Sequence, residues 1–257
     1  MISDLHQPDS ELARLLVTAQ KTRTPLSQLR PDLVPTNADV AYAVQHQTLV
    51  LLRQGIGGWK VGAKSLAGPI QGAPLPADRV LHGEAATVRR QDYAVLGLEL
   101  EIAFRFGRVF APSTQPYSDE SVLNGVESML ATIEVVSSRL ARWPEVDKLS
   151  QLADLQNHGA LACGEPVPFS ASFAFEAPQL TFTFDGVDIV KGQVGNPAGD
   201  PRRLLIWVVN HCAERGIAIG GDIVVTTGSY TGIHFPDGPG MAVGQIHGLA
   251  PARLTIV

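Results

Sequence analysis

Leu98, Leu100, Ile102, Phe104 and Phe106 alternate with Glu99, Glu101, Ala103 and Arg105, the clearest period of two along the chain, and they predict a strand over 98–106. Two helices are predicted upstream. Ser10 caps the first, with Leu12, Leu15, Leu16 and Ala19 on one face. Thr36 or Asn37 caps the second, with Val40, Ala43, Val44, Leu51 and Leu52 as its apolar stripe and Gly55 just past its end. A proline-rich stretch over 24–35 separates them. Downstream, a helix fits Ser118 to Leu130, followed by a strand over Thr132 to Val136. Asp200-Pro201 starts a further helix carrying Leu204, Leu205, Trp207 and Val208, and Gly216 stops it. The remaining segments, 179–184 with a tight turn at Asp185-Gly186, then 223–227, 241–246 and 253–257, read as strands.

Strands and helices do not alternate in βαβ fashion, which disfavours a doubly wound parallel sheet. The pattern predicts an α+β fold with a mixed, curled β-sheet. A helical N-terminal region over 1–56 precedes the β part over 57–257, and the two form in effect one structural unit.

Composition narrows the function classes. The chain has 257 residues, of which 45% are hydrophobic and only 18% charged. Its 25 glycines and 18 prolines exceed a usual share of about 12%, which implies many turns. Low charge and high apolar content lead us to expect a homo-oligomer. The net charge is −5 and no basic cluster is present, so nucleic acid is not an expected partner. No uncharged apolar stretch reaches the ~18 residues of a membrane span. Asp4, Asp9 and Glu11 stand where a signal peptide would be basic and then apolar. A cytoplasmic location is expected, and Cys163 and Cys212, without paired spacing, read as buried free thiols.

The candidate chemistry lies in the carboxylates. Glu99 and Glu101 leave the same face of their strand, roughly 7 Å apart at the backbone. That face is either a polar outer surface or a site where something positive sits between two like charges. Glu134 lies within Ala131-Thr-Ile-Glu-Val-Val136, an apolar segment in which an isolated carboxylate is costly. Three carboxylates from neighbouring strands would form a hard, all-oxygen site suited to Mg²⁺ or Mn²⁺; alternatively, Glu134 pairs with an arginine such as Arg139. Zinc is disfavoured, because none of the seven histidines shows HxH or HExxH spacing. Lys60, in Gly57-Gly-Trp-Lys-Val-Gly62, is either an edge-strand surface lysine or a buried one. Near a cation its pKa would fall, suiting it to acid/base work or to gripping a carboxylate. Other motifs fail. Ala63 separates Gly62 from Lys64-Ser65, against the phosphate-loop pattern, and Gly228-Ser-Tyr-Thr-Gly232 is not a nucleophile elbow. His82, His158, His234 and His247 read as surface or hydrogen-bonded core residues.

Five blocks in order carry a resemblance: Gly58-Trp-Lys-Val-Gly62, Leu98-Glu-Leu-Glu-Ile102, Ile133-Glu-Val-Val-Ser-Ser-Arg139, Gly195-Asn-Pro197 and Thr227-Gly-Ser229. Together they resemble the 2-hydroxypentadienoate (2-keto-4-pentenoate) hydratase and 4-oxalocrotonate decarboxylase family, within the fumarylacetoacetate hydrolase superfamily, from about Leu12 to the C-terminus. The resemblance implies a mixed β-roll fold, homo-oligomers and a role in aromatic catabolism. It implies that Glu99, Glu101 and Glu134 bind a divalent metal and that Lys60 is the active-site lysine. Asp78 falls where the family has an acidic residue implicated in proton transfer. Asn157 and Ser229 stand at substrate-side positions.

The chain also departs from that pattern. Arg79 and Val80 follow Asp78 where an aromatic and then Gly are usual, Ser137 replaces an Asp, and Leu155 and Asn157 replace an Asn and a pocket serine. The substrate is therefore left open, and so is the choice between hydration and decarboxylation. The expected reaction is hydration of a 2-hydroxypenta-2,4-dienoate-like substrate to a 4-hydroxy-2-oxo acid. A 2-oxo acid would chelate the metal, which stabilises the charge of a forming enolate, while Lys60 and Asp78 shuttle protons. The same enolate would serve a 4-oxalocrotonate-type decarboxylase. A C–C hydrolase acting on acylpyruvates would need a base such as His82 with Glu84. A non-catalytic partner subunit is the remaining reading.

Overall fold

The computed structural model describes residues 10–83 and 86–257; Glu84 and the acidic residues Asp4 and Asp9 lie outside the described residues. In chain order the elements are α1 (Glu11–Thr22), α2 (Ala38–Leu52), β1 (Ile56–Gly62), β2 (Gln71–Pro76), β3 (Val80–His82), β4 (Thr87–Val88) and β5 (Gly97–Phe106). Then follow α3 (Asp119–Leu123), β6 (Val126–Val136), α4 (Lys148–Ala153), β7 (His158–Cys163), β8 (Val167–Pro168), β9 (Leu180–Phe184) and β10 (Val187–Asp188). The chain ends with α5 (Arg202–Glu214), β11 (Val224–Ser229), β12 (Gly240–Ile246) and β13 (Ala252–Ile256).

Local signals place most of these elements. Ser10 and Asn37 cap α1 and α2 by accepting from the N–H groups of Ala13 and Val40. Asp185 and Gly186, at φ 48° and 80°, form the two-residue hairpin turn between β9 and β10. Two expectations fail. The stripe expected on α2 is rotated: Ala41, Val44, Gln45, Thr48 and Leu49 are buried, while Val40 is 42% exposed. The buried face is led by a polar residue, Gln45, whose amide donates to the carbonyls of Gly72 (3.2 Å) and Leu152 (2.7 Å). Apolar periodicity cannot register such a contact. The helix expected over Ser118 to Leu130 stops at Leu123, and 126–130 belongs to β6. There Val126 to Leu130 pair with Phe106 to Ala103 of β5, and cross-strand pairing overrides local helix propensity.

The larger sheet runs β2-β1-β11-β5-β6-β7-β3, with β8 beside β6. Its two outermost strands are joined only by Ala77–Arg79. Three residues span at most ~10 Å, so the sheet must curl until its edges nearly meet. The register fixes what faces inward. Glu99 lies opposite Glu134, Glu101 opposite Thr132 and Ala103 opposite Leu130, while Thr226 pairs with both Ala103 and Lys60. Leu75, Val80, Ala103, Leu130, Leu161, Cys163 and Val224 plug the interior beside these polar residues. The other face of β5, from Leu98 to Phe106, is fully buried against the second sheet (β10-β9-β12-β13-β4) and α5. The glutamate face of β5 is thus the inside of a curled sheet rather than an outer surface.

Helices α1 and α2 pack on Leu140, Leu152 and Ala153, so the N-terminal region leans on the segment that includes α4. Among the described residues no helix is long and apolar enough to cross a membrane. Cys163 and Cys212 are buried free thiols, and burial pushes the Cys163 thiol up to about 12.

The two sheets are in tight contact at Gly244 of β12, where an added Cβ would meet Leu100 Cδ1 at 2.2 Å. Gly244→Ala is expected to cost about 1–3 kcal/mol by overpacking, and Leu100→Ala about 2–5 kcal/mol by leaving a cavity. In urea unfolding the double variant should lose less than the two costs added together. Strict additivity would show that the sheets do not meet at this point.

Candidate active site

Two strands and their register bring Glu99, Glu101 and Glu134 together, with one carboxylate oxygen from each lying within 4.8 Å of the others. Glu101 is 2% exposed and Glu134 fully buried. Lys60, projecting from β1, places Nζ 2.7 Å from both Glu134 oxygens and 3.1 Å from the Gln156 carbonyl. On β11 the register shifts between Thr226 and Ser229, and Gly228 adopts φ 92°, a conformation that side chains resist. That turn aims the Gly228 N–H at Glu101 Oε2 (3.1 Å), which also accepts from the Thr226 hydroxyl. His158, at the start of β7, places Nδ1 2.9 Å from Glu134 Oε1.

Arg139 is not the partner of Glu134. Its guanidinium donates to the Asp154 carboxylate and to the backbone carbonyls of Asp154 and His158. This buried clamp holds a backbone that is otherwise unfavourable: Leu155, Gln156 and Asn157 all lie in the left-handed region, at φ 48°, 50° and 60°. The result is that the Gln156 carbonyl faces Lys60 and the Asn157 side chain lines the cavity.

Burial and mutual repulsion push Glu99 up to about 7 and Glu101 up to about 8. Burial alone would lower the pKa of Lys60 and raise that of Glu134, but their contact reverses both shifts. Lys60 therefore stays charged. Its neighbours are carboxylates, not the cation that would have lowered its pKa. Burial keeps the His158 imidazole below its usual range even beside Glu134. One lysine faces three carboxylates, so the cluster is short of positive charge, and all its free donors are oxygens. That donor set fits a hard divalent cation such as Mg²⁺ or Mn²⁺.

The cluster opens into a cavity of about 480 Å³ also lined by Lys64, Lys148, Gln151, Asn157, Asn196 and Ser229. Of the residues singled out from sequence, Lys60, Glu99, Glu101, Glu134, Asn157 and Ser229 are brought together here. Asp78 is not. It sits in the turn between β2 and β3, 51% exposed and 3.9 Å from Arg79. That turn lies beyond the pairing of Ile56 with Pro76, four residues from Lys60 and so ~13 Å along the strand. His82, bonded to Arg105, also lies away from the cavity, and its proposed partner Glu84 is outside the described residues. Sequence reasoning missed Thr226, Gln156 and the contact of His158. Only the strand register and the clamped loop carry them to the site; a polar Thr226 within an apolar strand was the one available signal.

No family model matches the chain. It is 26% identical over 262 residues to a 2-keto-4-pentenoate hydratase of Paraburkholderia phymatum, covering 98% of each chain. It is 23% identical over 232 residues to one of Paraburkholderia xenovorans, covering 87% of this chain and 85% of that one. In fold it is similar to 4-oxalocrotonate decarboxylase from Pseudomonas putida G7, complexed with magnesium and adipate, with a TM-score of 0.82, 18% identity and 96% of each chain covered. It also resembles fumarylpyruvate hydrolase from Pseudomonas aeruginosa, in complex with Mn²⁺ and pyruvate, with a TM-score of 0.58, 15% identity and 77% and 88% covered.

The raised carboxyls make cation binding dependent on pH. Glu99 and Glu101, near 7 and 8, hold protons that a divalent cation must displace. Affinity for Mg²⁺ should fall as pH drops from about 8 to 6, with proton release visible by calorimetry in buffers of different ionisation enthalpy. Both groups bind protons more tightly folded than unfolded, so without cation their stabilising effect is complete below pH 4.5 and is lost as pH rises through about 7 and 8. Affinity that does not change with pH would overturn this account.

Proposed function

We propose, on the place in the 2-keto-4-pentenoate hydratase and 4-oxalocrotonate decarboxylase family that these relatives and the shared fold support, that this enzyme is a divalent-metal-dependent lyase. Its substrate is a small 2-hydroxy-alkadienoate or 2-oxo acid, and the leading reading is hydration of a 2-hydroxypenta-2,4-dienoate-like molecule to a 4-hydroxy-2-oxo acid. The observation that carries the reading is a cluster of three carboxylates, two buried and one half-buried, with Lys60 at its edge, open to a cavity.

Glu99, Glu101 and Glu134 would hold Mg²⁺ or Mn²⁺. When bound, the cation supplies positive charge to anchor the substrate carboxylate and to stabilise negative charge on the neighbouring oxygen. In the reaction the substrate loses its 2-hydroxyl proton and gains one at the terminal carbon, giving a 2-oxo-3-enoate. Water then adds hydroxyl to C4 and a proton to C3. Lys60 is the charged group at the cavity floor placed to hold and deliver a proton at Nζ. Asn157 and Ser229 offer polar contacts along the wall. Asp78, facing solvent elsewhere, has no part in this scheme. The low charge and the exposed Leu66 and Val109 support a homo-oligomer as the working state.

A second reading, decarboxylation of an oxalocrotonate-like dicarboxylate, draws on Lys64 and Lys148 at the cavity wall, where they could meet a second carboxylate. The fold neighbour that carries adipate is itself a decarboxylase.

A panel of 2-hydroxydienoates, oxo-enedioates and acylpyruvates, assayed with Mg²⁺, separates these reactions by product. Hydration of the dienoate is expected, and carbon dioxide release would move the assignment to the second reading. Lys60→Ala should lower turnover by about 10²-fold or more while metal affinity changes little. Glu101→Ala should abolish cation binding. Full turnover in Glu101→Ala, or cleavage of acylpyruvates to pyruvate alone, would overturn the proposal.

A further inference from the structure

The lone pairs of the two buried glutamates are filled unevenly. A carboxylate oxygen offers about two acceptor sites. Glu101 Oε2 has both taken, by the Thr226 hydroxyl and the Gly228 N–H. Glu134 Oε1 has both taken, by Lys60 Nζ at 2.7 Å and His158 Nδ1 at 2.9 Å. Among the described residues Glu134 Oε2 accepts from Lys60 alone. Each buried carboxylate is therefore presented to the cluster through one oxygen. On Glu134, His158 completes the asymmetry.

The imidazole is well placed to hold that role. His158 is 2% exposed, and its carbonyl is gripped by the buried Arg139 guanidinium, so the ring is anchored at its backbone. Its other nitrogen, Nε2, is buried and has no partner among the described residues. Nothing there draws the ring proton away from Nδ1, where the acceptor-only carboxylate requires it.

We propose that His158 is a positioning residue that makes Glu134 a one-oxygen ligand and thereby sets the preference of the site for a small octahedral cation over Ca²⁺. The inference rests on the reading that Glu99, Glu101 and Glu134 hold a divalent cation. Mg²⁺ demands near-octahedral geometry with single oxygens, whereas Ca²⁺ accepts two-oxygen carboxylates and irregular, larger shells. Freeing Glu134 Oε1 removes the discrimination. Hydrogen-bond partners of this kind typically change metal affinity by about 10–100-fold.

The test is calorimetric titration of the full-length protein with Mg²⁺ and, separately, Ca²⁺, with thermal melts of every variant. His158→Asn places an amide N–H near the Nδ1 position; His158→Gln moves it outward, and His158→Leu removes it. The Mg²⁺-to-Ca²⁺ affinity ratio should fall by about 10-fold or more in His158→Gln and His158→Leu and stay within about 3-fold of the parent in His158→Asn. If His158→Leu does not fold, the Asn and Gln pair, equal in polarity, carries the comparison alone. An unchanged ratio in His158→Gln, or the same loss in His158→Asn, would overturn the positioning role while leaving the metal site standing. A parent protein that binds neither cation would overturn the metal reading and this inference together.

Discussion

Three carboxylates gathered on the inside of a curled sheet are the constraint around which the molecule is arranged. Like charges in a poorly hydrated interior repel, and each loses the solvation it would have in water. Lys60 offsets one of them directly, lying between Glu134 and the Gln156 carbonyl. Thr226 and Gly228 stabilise Glu101 with two donors but bring no charge. The imbalance that remains keeps Glu99 and Glu101 high, near 7 and 8. A cluster built this way is costly to fold and ready to bind a cation for the same reason.

The fold supplies that arrangement through register rather than through any single tight motif. Placing Glu99 opposite Glu134 follows from the antiparallel pairing of β5 with β6, the longest ladder in the sheet. The curl, forced by the three-residue link between the edge strands, turns that face inward. Apolar side chains pack beside the cluster, and loops line the cavity into which it opens. The most strained of these, 155–157, is held by the buried Arg139–Asp154 contact. Gln45, reaching from α2 to the Leu152 carbonyl, braces the neighbouring helix α4 from behind.

What could be read in the sequence follows from how local each signal is. The alternation over 98–106 is a property of consecutive residues, so β5 and its pair of glutamates were legible. Whether their face was inner or outer was not, because that depends on a closure contributed by Ala77–Arg79. Glu134 stood out because a lone acid in an apolar run has few benign explanations. Asp78 was carried to the site by resemblance alone, and the geometry puts it elsewhere. His158 read as a surface or hydrogen-bonded core histidine, and it is the latter; that its partner is Glu134 follows from the pairing of β6 with β7, which no local spacing encodes. The over-long helix after Ser118 has the same cause, since Val126–Leu130 are strand only because β5 is there to pair with.

The charged side chains of the cluster and the remaining side chains of the cavity occupy different parts of the structure. Lys60, Glu99, Glu101 and Glu134 all stand on paired strands, where displacing one side chain means shifting a ladder. Leu155 and Asn157 lie in the left-handed loop, and Lys64 and Lys148 come from segments flanking the cavity. The floor is thus the rigid part of the site: its charged side chains are fixed by the same ladders that hold the sheet together. The walls come from loops and flanking segments that the ladders do not constrain. A side chain on the loop or on a flanking segment is tied to no ladder, so it can be exchanged without shifting the strands that hold the three carboxylates.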